Sequence, residues 1–597
     1  AMLSARTFDP NYDGQTFDLS FGHTQRPWLV PLSATEASPF GPSSQGWRIS
    51  EVQDAKAKAN AETSNGEADE TVICHVAADG FEERMVPFPV PSGSYRDLAV
   101  VKDGVVWIEV ADRGGELGAT RAGVTGEAPS DVLWHYNLSA RHLDKLCERV
   151  DTFSVSGDGE RLVVRHRDDT IVVPSSHKVD DDDPAYIRVD LTRLRRTVNP
   201  RAEWRQMFDE NGRLMASHYW REDMNGVDWD SVLNRYRPLV DLCHVVDDLH
   251  DILWETVAEL NTSHSYVSAS GAAGDSDMRA GLLGADVSSG NDGAKVVRVI
   301  PGESSDPRAW SPLRAAGVAV TEGDVIVAVD GRKVGADGNL GELLEGSAGR
   351  VVELTVRRGE NERQVAVVPM ADEAPLRYHD WVASRRRYVE EHSGGRLGYL
   401  HVPDMVSDGW AELHRQIGEA TRHEGVIADV RFNHGGHTSQ LVVERLARRV
   451  VGWDYSRWYA TADTYPQNAV RGPIVMVTNQ WAGSDGDIVA AATQAMGYAK
   501  VIGERSWGGV VGIDGRFDLV DGTSVTQPRY AGWYGSYGWG VENHGVDPDI
   551  VVTVSPEDWE ADRDVQLDAA IAECLRQLDD KPAATAPELP GPAFDRC

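Results

Sequence analysis

The chain has 597 residues, with 41% apolar and 26% charged side chains and a formal net charge of −35. That length is too great for one hydrophobic core and requires several domains. Charge this acidic, with no basic stripe to offset it, argues against nucleic acid or anionic membrane as partners. No apolar stretch is long enough to cross a bilayer. Five scattered cysteines, Cys74, Cys147, Cys243, Cys574 and Cys597, form no CxxC, which suggests neither a disulfide framework nor a zinc site and fits a reducing compartment. The first ten residues lack the basic-then-apolar layout of a signal peptide and read as mid-domain, so a longer parent chain is expected.

Residues 1–178 read as all-β. Short apolar or alternating runs such as 97–110 are punctuated by Asp-Gly turns at Asp79-Gly80, Asp103-Gly104 and Asp158-Gly159, and 153–165 pairs two strands across the last of these. The repetition suggests propeller blades, with a sandwich as the competing assignment. The acidic, Pro-terminated run Val179–Pro184 marks a boundary. Residues 185–280 become helical. Asn199-Pro200 opens one helix, and Leu249, Ile252, Leu253, Val257 and Leu260 space one buried face of another. That helix ends at Asn261-Thr-Ser-His264, where a histidine on its own reads as a cap for the last carbonyls.

Residues 281–372 turn β-rich again. Gly281-Leu-Leu-Gly284 and the pattern Gly323-Asp-Val-Ile-Val-Ala-Val-Asp-Gly331 resemble a PDZ domain, a fold that binds peptide C-termini by strand addition or serves as filling or a gate. Residues 373–579 alternate strands and helices, an α/β layout with sites expected at the C-terminal ends of strands. Strands are expected at 396–402, 425–430 and 474–478 and from Val501, with helices at 409–421, 439–450 and around 562–578. A Pro/Ala-rich tail, 580–597, is expected to be disordered.

Chemistry gathers in the α/β part. Ser484, flanked by Gly483 and by Asp485-Gly486, sits on a sharp turn between a strand and a helix. Alone that turn reads as a helix cap; with a base nearby it lifts a hydroxyl beside backbone N–H groups. A Gly-rich strand end, Asn433 to Gly436, precedes it, and Glu542 follows among aromatic residues. A serine hydrolase needs a nucleophile, a base, an orienting group and oxyanion donors, and each role has a candidate.

Five stretches, 261–266, 429–436, 482–487, 507–513 and 540–549, resemble in order the motifs of the tricorn proteases, whose catalytic domain is related to carboxyl-terminal processing proteases. The resemblance covers nearly the whole chain. It implies a multidomain fold: part of an all-β propeller, a helical segment, a PDZ-like domain and an α/β, crotonase-like catalytic domain. It implies Ser484 as nucleophile, His264 as general base, and Ser263 and Glu542 completing a hydrogen-bonded tetrad. The oxyanion donors would be the amides of Gly436 and Asp485. His434, Gly435, Gly436 and Asp454 would contact substrate. Asp454 would favour a basic side chain before the scissile bond, with an exposed loop aspartate as the equal alternative. His434 departs from the family's triple-glycine pattern, and His437 adds a second imidazole. The resemblance further implies oligopeptide substrates passed on from larger degradation machines, access through propellers, a hexameric ring, downstream aminopeptidases, a cytoplasmic setting, and neither metal nor cofactor.

Two alternatives stand beside this reading: a Ser–Lys dyad using Lys500, and a catalytically dead scaffold whose PDZ-like part binds peptides. Trp507-Gly-Gly509 reads as a packing turn, Gly545–Asp549 as a rigid turn, and Trp533, Tyr534, Tyr537 and Trp539 as core or groove, with core favoured.

Overall fold

The computed structural model describes residues 1–8, 10–13, 18–32, 40, 76–79, 81–111, 129–269, 278–335 and 339–589. Gly80 of the Asp79-Gly80 turn, Cys74, Cys597 and the tail from 590 lie outside them. The chain forms two compact units, Ala1–Thr197 and Val198–Cys597.

The first unit contains two four-stranded antiparallel meanders. One runs through Tyr95–Val101, Gly104–Glu109, Val132–Asn137 and His142–Glu148, and the other through Thr152–Val155, Arg161–His166, Asp169–Pro174 and Ile187–Arg188. The Asp103-Gly104 hairpin needs its glycine, because a Cβ there would meet the Tyr136 carbonyl oxygen at 2.1 Å. One core gathers Val106, Ile108, Leu133 and Leu162, and another packs Phe88 edge-on to Trp107 and Tyr136. The acidic run at 179–184 is not the end of this unit. Ile187 and Arg188 pair with Val172 and Ile171, so the run connects two strands of one sheet, and the unit extends to Thr197.

The second unit opens with helices Pro200–His218, Trp229–Val240 and Val246–Ala258. Asn199 caps the first by accepting the Ala202 N–H. Their apolar faces, including Phe208, Leu249 and Leu253, pack with Leu519 and Val525 from far along the chain. Val267–Ser268 also pairs antiparallel with Ser524–Val525. The segment bearing His264 is thereby fastened to the α/β part.

The PDZ-like region is an antiparallel sheet of Ala285–Gly290, Gly293–Val299, Val325–Val329, Val352–Arg358 and Asn361–Val367 in that order, with Arg332–Lys333 paired to the third. Asp324 of the Gly-Asp turn is buried, accepts the Thr321 N–H and pairs with Arg358 at 2.7 Å.

The α/β part is built on five parallel strands in sequential order: β1 Leu397–His401, β2 Gly425–Asp429, β3 Ile474–Thr478, β4 Ala499–Gly503 and β5 Ile550–Val551. Every residue of β1, β2 and β3 is buried, as a parallel sheet covered on both faces demands. Helices Ser407–Ala420, Ser439–Leu446 and Asp485–Met496 cover one face, and Ala374–Ser393 with Val565–Asp580 the other. Part of the expected disordered tail is placed: Ala583 packs on the second face and the Ala584 N–H donates to the Arg471 carbonyl.

Candidate active site

The C-terminal ends of β2, β3 and β4 lie side by side, and their three following loops make the site. After β3, Asn479 ties the turn together. Its side-chain oxygen accepts N–H bonds from Phe432 at 3.0 Å and Trp481 at 3.2 Å, joining the β3 turn to the β2 loop. The Gly483 N–H donates to the Asn433 carbonyl at 3.0 Å. Between these anchors Ser484 is forced to φ 57° and ψ −119°, a strained conformation for a side chain other than glycine. Its hydroxyl caps nothing and is half-buried. The helix-cap alternative for Ser484 is therefore set aside.

The β2 loop presses its glycines against this turn. Gly435, at φ 76°, has no room for a side chain: a Cβ would lie 2.6 Å from Ser484 Cβ and 3.2 Å from its Oγ. Gly436 adopts φ 148° and runs against Met405. The Gly435 N–H is engaged by the Asn433 side chain at 2.8 Å. The Gly436 and Asp485 N–H groups donate to no acceptor among the described residues. His434 and His437 are exposed, with their backbone amides bonded to Pro403 and Met405.

Asp485 has a second task. Its buried carboxylate accepts the Ser439 N–H at 2.9 Å, pinning the helix that follows the glycine loop to the serine turn. Burial pushes this carboxyl up from its ordinary value.

His264 reaches the same region from the helical segment, at φ 60°. Its carbonyl is held by the Thr526 hydroxyl. Its Nδ1 lies 3.2 Å from Ser263 Oγ, and that hydroxyl donates to Glu542 Oε2 at 3.0 Å. Glu542 also accepts the Ser263 N–H at 2.7 Å, Val510 N–H at 2.8 Å and Val511 N–H at 3.0 Å. Burial lowers the His264 pKa, opposed by its bond to the Val511 backbone and by the Glu542 charge. No hydrogen bond joins His264 to Ser484 among the described residues.

Trp507 stands beside both His264 and the Gly483 end of the serine turn. Its ring stands edge-on to His264 with centroids 5.5 Å apart, and a Cβ on Gly483 would strike it at 2.7 Å. The turn expected only to pack is thus a wall of the site. Asp487, buried beneath it, accepts the Ser506 hydroxyl and the Gly508 N–H at 2.8 Å, and its pKa is pushed up to about 6 by burial. Sequence patterns assign no role to the side chains of Asp487, Asn433 and Asn479. All three are polar residues inside otherwise apolar or Gly-rich stretches, and that contrast is the one signal they carry.

Asp454 sits apart. It ends the short strand Gly452–Asp454, opposite Asp463 of Asp463–Tyr465, and is exposed. No contact joins it to Ser484 or the glycine loop among the described residues. Lys500, the alternative base, lies on β4 opposite Val475, near the N-terminal end of the sheet. It pairs with Asp549 at 3.4 Å, so the strands separate it from Ser484. Trp533 and Trp539, favoured as core, are 61% and 58% exposed, whereas Tyr534 and Tyr537 pack on the core.

Residues 200–258 match the tricorn protease C1 domain, 281–372 the tricorn protease PDZ domain and 396–552 peptidase family S41. The chain is 53% identical over 595 residues to tricorn protease homolog 1 of Streptomyces coelicolor, covering 99% of this chain and 55% of that one. The chain belongs to the tricorn protease family. The tricorn protease of Thermoplasma acidophilum is 32% identical over 96% of this chain and 51% of its own length. A crystal structure of the tricorn protease superposes with a TM-score of 0.80 at 31% identity, covering 97% of this chain and 53% of that one. The chain spans about half the length of these relatives. The three matches follow one another along this chain as a helical C1 domain, a PDZ domain and an S41 α/β domain. No helix among the described residues is long and apolar enough to cross a membrane.

Proposed function

We propose that this chain is a serine peptidase of tricorn type that hydrolyses oligopeptides through an acyl-enzyme at Ser484. The observation that carries the proposal is the hydrogen-bonded chain Glu542–Ser263–His264, fastened at the sheet end where Ser484 stands on its strained turn. An alcohol is a weak nucleophile at neutral pH. His264 takes the Ser484 proton as Oγ attacks the scissile carbonyl carbon. The developing oxyanion is met by the Gly436 and Asp485 N–H groups, both without acceptors among the described residues. His264 then returns the proton to the leaving amine, and water releases the acyl group by the reverse roles. Ser263 and Glu542 hold the imidazole in position and stabilise its charged form.

Family likeness extends the proposal. The meanders of the first unit are blades of a propeller through which peptides gain access. His434 and Gly435 contact the substrate beside the oxyanion site. Asp454 selects a basic residue before the cut, in a hexameric assembly. The setting is cytoplasmic, with aminopeptidases acting on the products.

The test is hydrolysis of fluorogenic peptides by the protein and by Ser484→Ala and His264→Ala, with fluorophosphonate labelling of Ser484. Both variants are expected to be inactive. Cleavage by Ser484→Ala at the parent rate excludes the mechanism. Absence of labelling in the assembled protein favours the peptide-binding scaffold.

A further inference from the structure

Phe432, Trp481 and Trp559 are 41%, 64% and 79% exposed and wall one cavity of about 610 Å³. Large rings left facing water together mark a surface that something covers. The guanidiniums that line it are already paired: Arg431 with Asp429 and Asp564, Arg385 with Asp564, and Arg563 with Asp558. Among the described residues the cavity therefore offers rings and no unpaired cation, which favours an apolar occupant over an anion.

Its walls belong to the reacting loops. Phe432 precedes Gly435 in the β2 loop, and Trp481 precedes Ser484 in the β3 turn. The Asn479 side chain holds the backbones of both through one oxygen. Phe432 sits at φ 60°, a strained conformation for a bulky residue that keeps its ring on this wall. A second cavity shares Gln480 and Glu504 with the first and runs to Trp507, whose ring meets His264. The two cavities thus meet at Gln480 and Glu504, with Trp507 bordering the second and the three rings walling the first.

We propose that the cavity walled by Phe432, Trp481 and Trp559 is a peptide subsite that takes an aromatic or large aliphatic side chain of the substrate. This rests on the peptidase function proposed for Ser484. A substrate peptide is the occupant because the rings of Phe432 and Trp481 stand on the very loops that carry Gly435 and Ser484, and because the volume suits a bulky side chain with its flanking backbone.

The test uses internally quenched peptides identical but for Phe, Leu or Ala at one position, scanned along both sides of the cut. At one position kcat/KM should favour Phe or Leu over Ala by about ten-fold or more. Trp481→Ala and Trp559→Ala should each collapse that ratio toward one. Trp310→Ala, on the surface of the PDZ-like domain, should leave it intact. Absence of any preferred position, or a ratio that survives both substitutions, overturns the proposal. A change of oligomer mass in Trp481→Ala with the ratio intact also overturns it and assigns the face to contact between copies. If the parent protein neither cleaves nor labels, the peptidase function fails. The subsite is then judged by binding of the Phe and Ala peptides to Ser484→Ala, followed by tryptophan fluorescence: tighter Phe binding supports it, and equal affinity overturns it.

Discussion

Glu542 grips Ser263 twice, taking its backbone N–H at 2.7 Å and its hydroxyl at 3.0 Å across 279 positions of sequence. The same carboxylate takes the N–H groups of Val510 and Val511. It therefore fixes the residue before His264 and the loop beside it. Glu542→Ala should reduce kcat/KM by about 10²–10⁴-fold, the range of a lost orienting group. Ser263→Ala removes one charge-assisted hydrogen bond and should cost about ten- to hundred-fold. Peptide kinetics measure both, and a wild-type rate in Glu542→Ala would detach the carboxylate from catalysis.

The proposed role of His264 as general base sets an expected acid limb of activity. A general base works only when neutral, and burial lowers the pKa of this imidazole. The limb of kcat/KM should therefore fall below about pH 6.5, the ordinary histidine value. Glu542→Gln withdraws a charge that favours the imidazolium, so its limb should shift further toward acid. A pH–rate profile of residual activity checks both directions. A limb above the ordinary value would contradict the desolvated site.

Lys500 tests the rival dyad. It is exposed near the far end of β4 and touches Asp549. Lys500→Ala should keep its rate within about two-fold and its stability within about 1 kcal/mol, as for an exposed ion pair. His264→Ala should abolish turnover. The Ser–Lys mechanism demands the opposite pair of results from the same assay.

Much of this site is legible in the amino-acid sequence. Ser484, His264 and Glu542 stand in motifs whose composition is odd for simple packing, and β1 to β3 are apolar runs that a buried parallel sheet requires. Other features depend on tertiary placement. Trp507 and Trp539 are both part-exposed tryptophans in Gly-rich stretches; one meets the His264 ring and the other Trp220, and no local pattern separates them. The acidic turn before Tyr186 has the composition of a linker, yet Ile187 and Arg188 pair with the preceding strand across it. Asp485 reads as a source of an N–H alone, although its carboxylate also caps the Ser439 helix from the neighbouring loop.

Gly435 sets a close steric constraint on Ser484, the proposed nucleophile. Gly435→Ala places a methyl 2.6 Å from Ser484 Cβ at a φ of 76° that alanine disfavours. The serine turn must move, and a displacement near 1 Å reduces rate by about 10²-fold. Fluorophosphonate labelling and peptide turnover should fall together. Unimpaired labelling would show that the loop has slack.

Asp487 makes the stability of the site pH-dependent. Its carboxyl is buried and its pKa is raised from 3.8 to about 6, so the folded state holds the proton more tightly than the unfolded chain does. The resulting stabilisation is complete below the unfolded value and is lost as pH rises through about 6. Holding the proton that much more tightly corresponds to about 3 kcal/mol. Asp487→Asn cannot ionise, although it loses an acceptor for the Gly508 and Gly509 amides. Its melting midpoint relative to the parent should therefore improve by a few degrees between about pH 4.5 and 7.5. Thermal unfolding of the two proteins at both pH values decides the point. A difference that stays constant would mean that the donors to the carboxylate offset the cost of its burial at least in full.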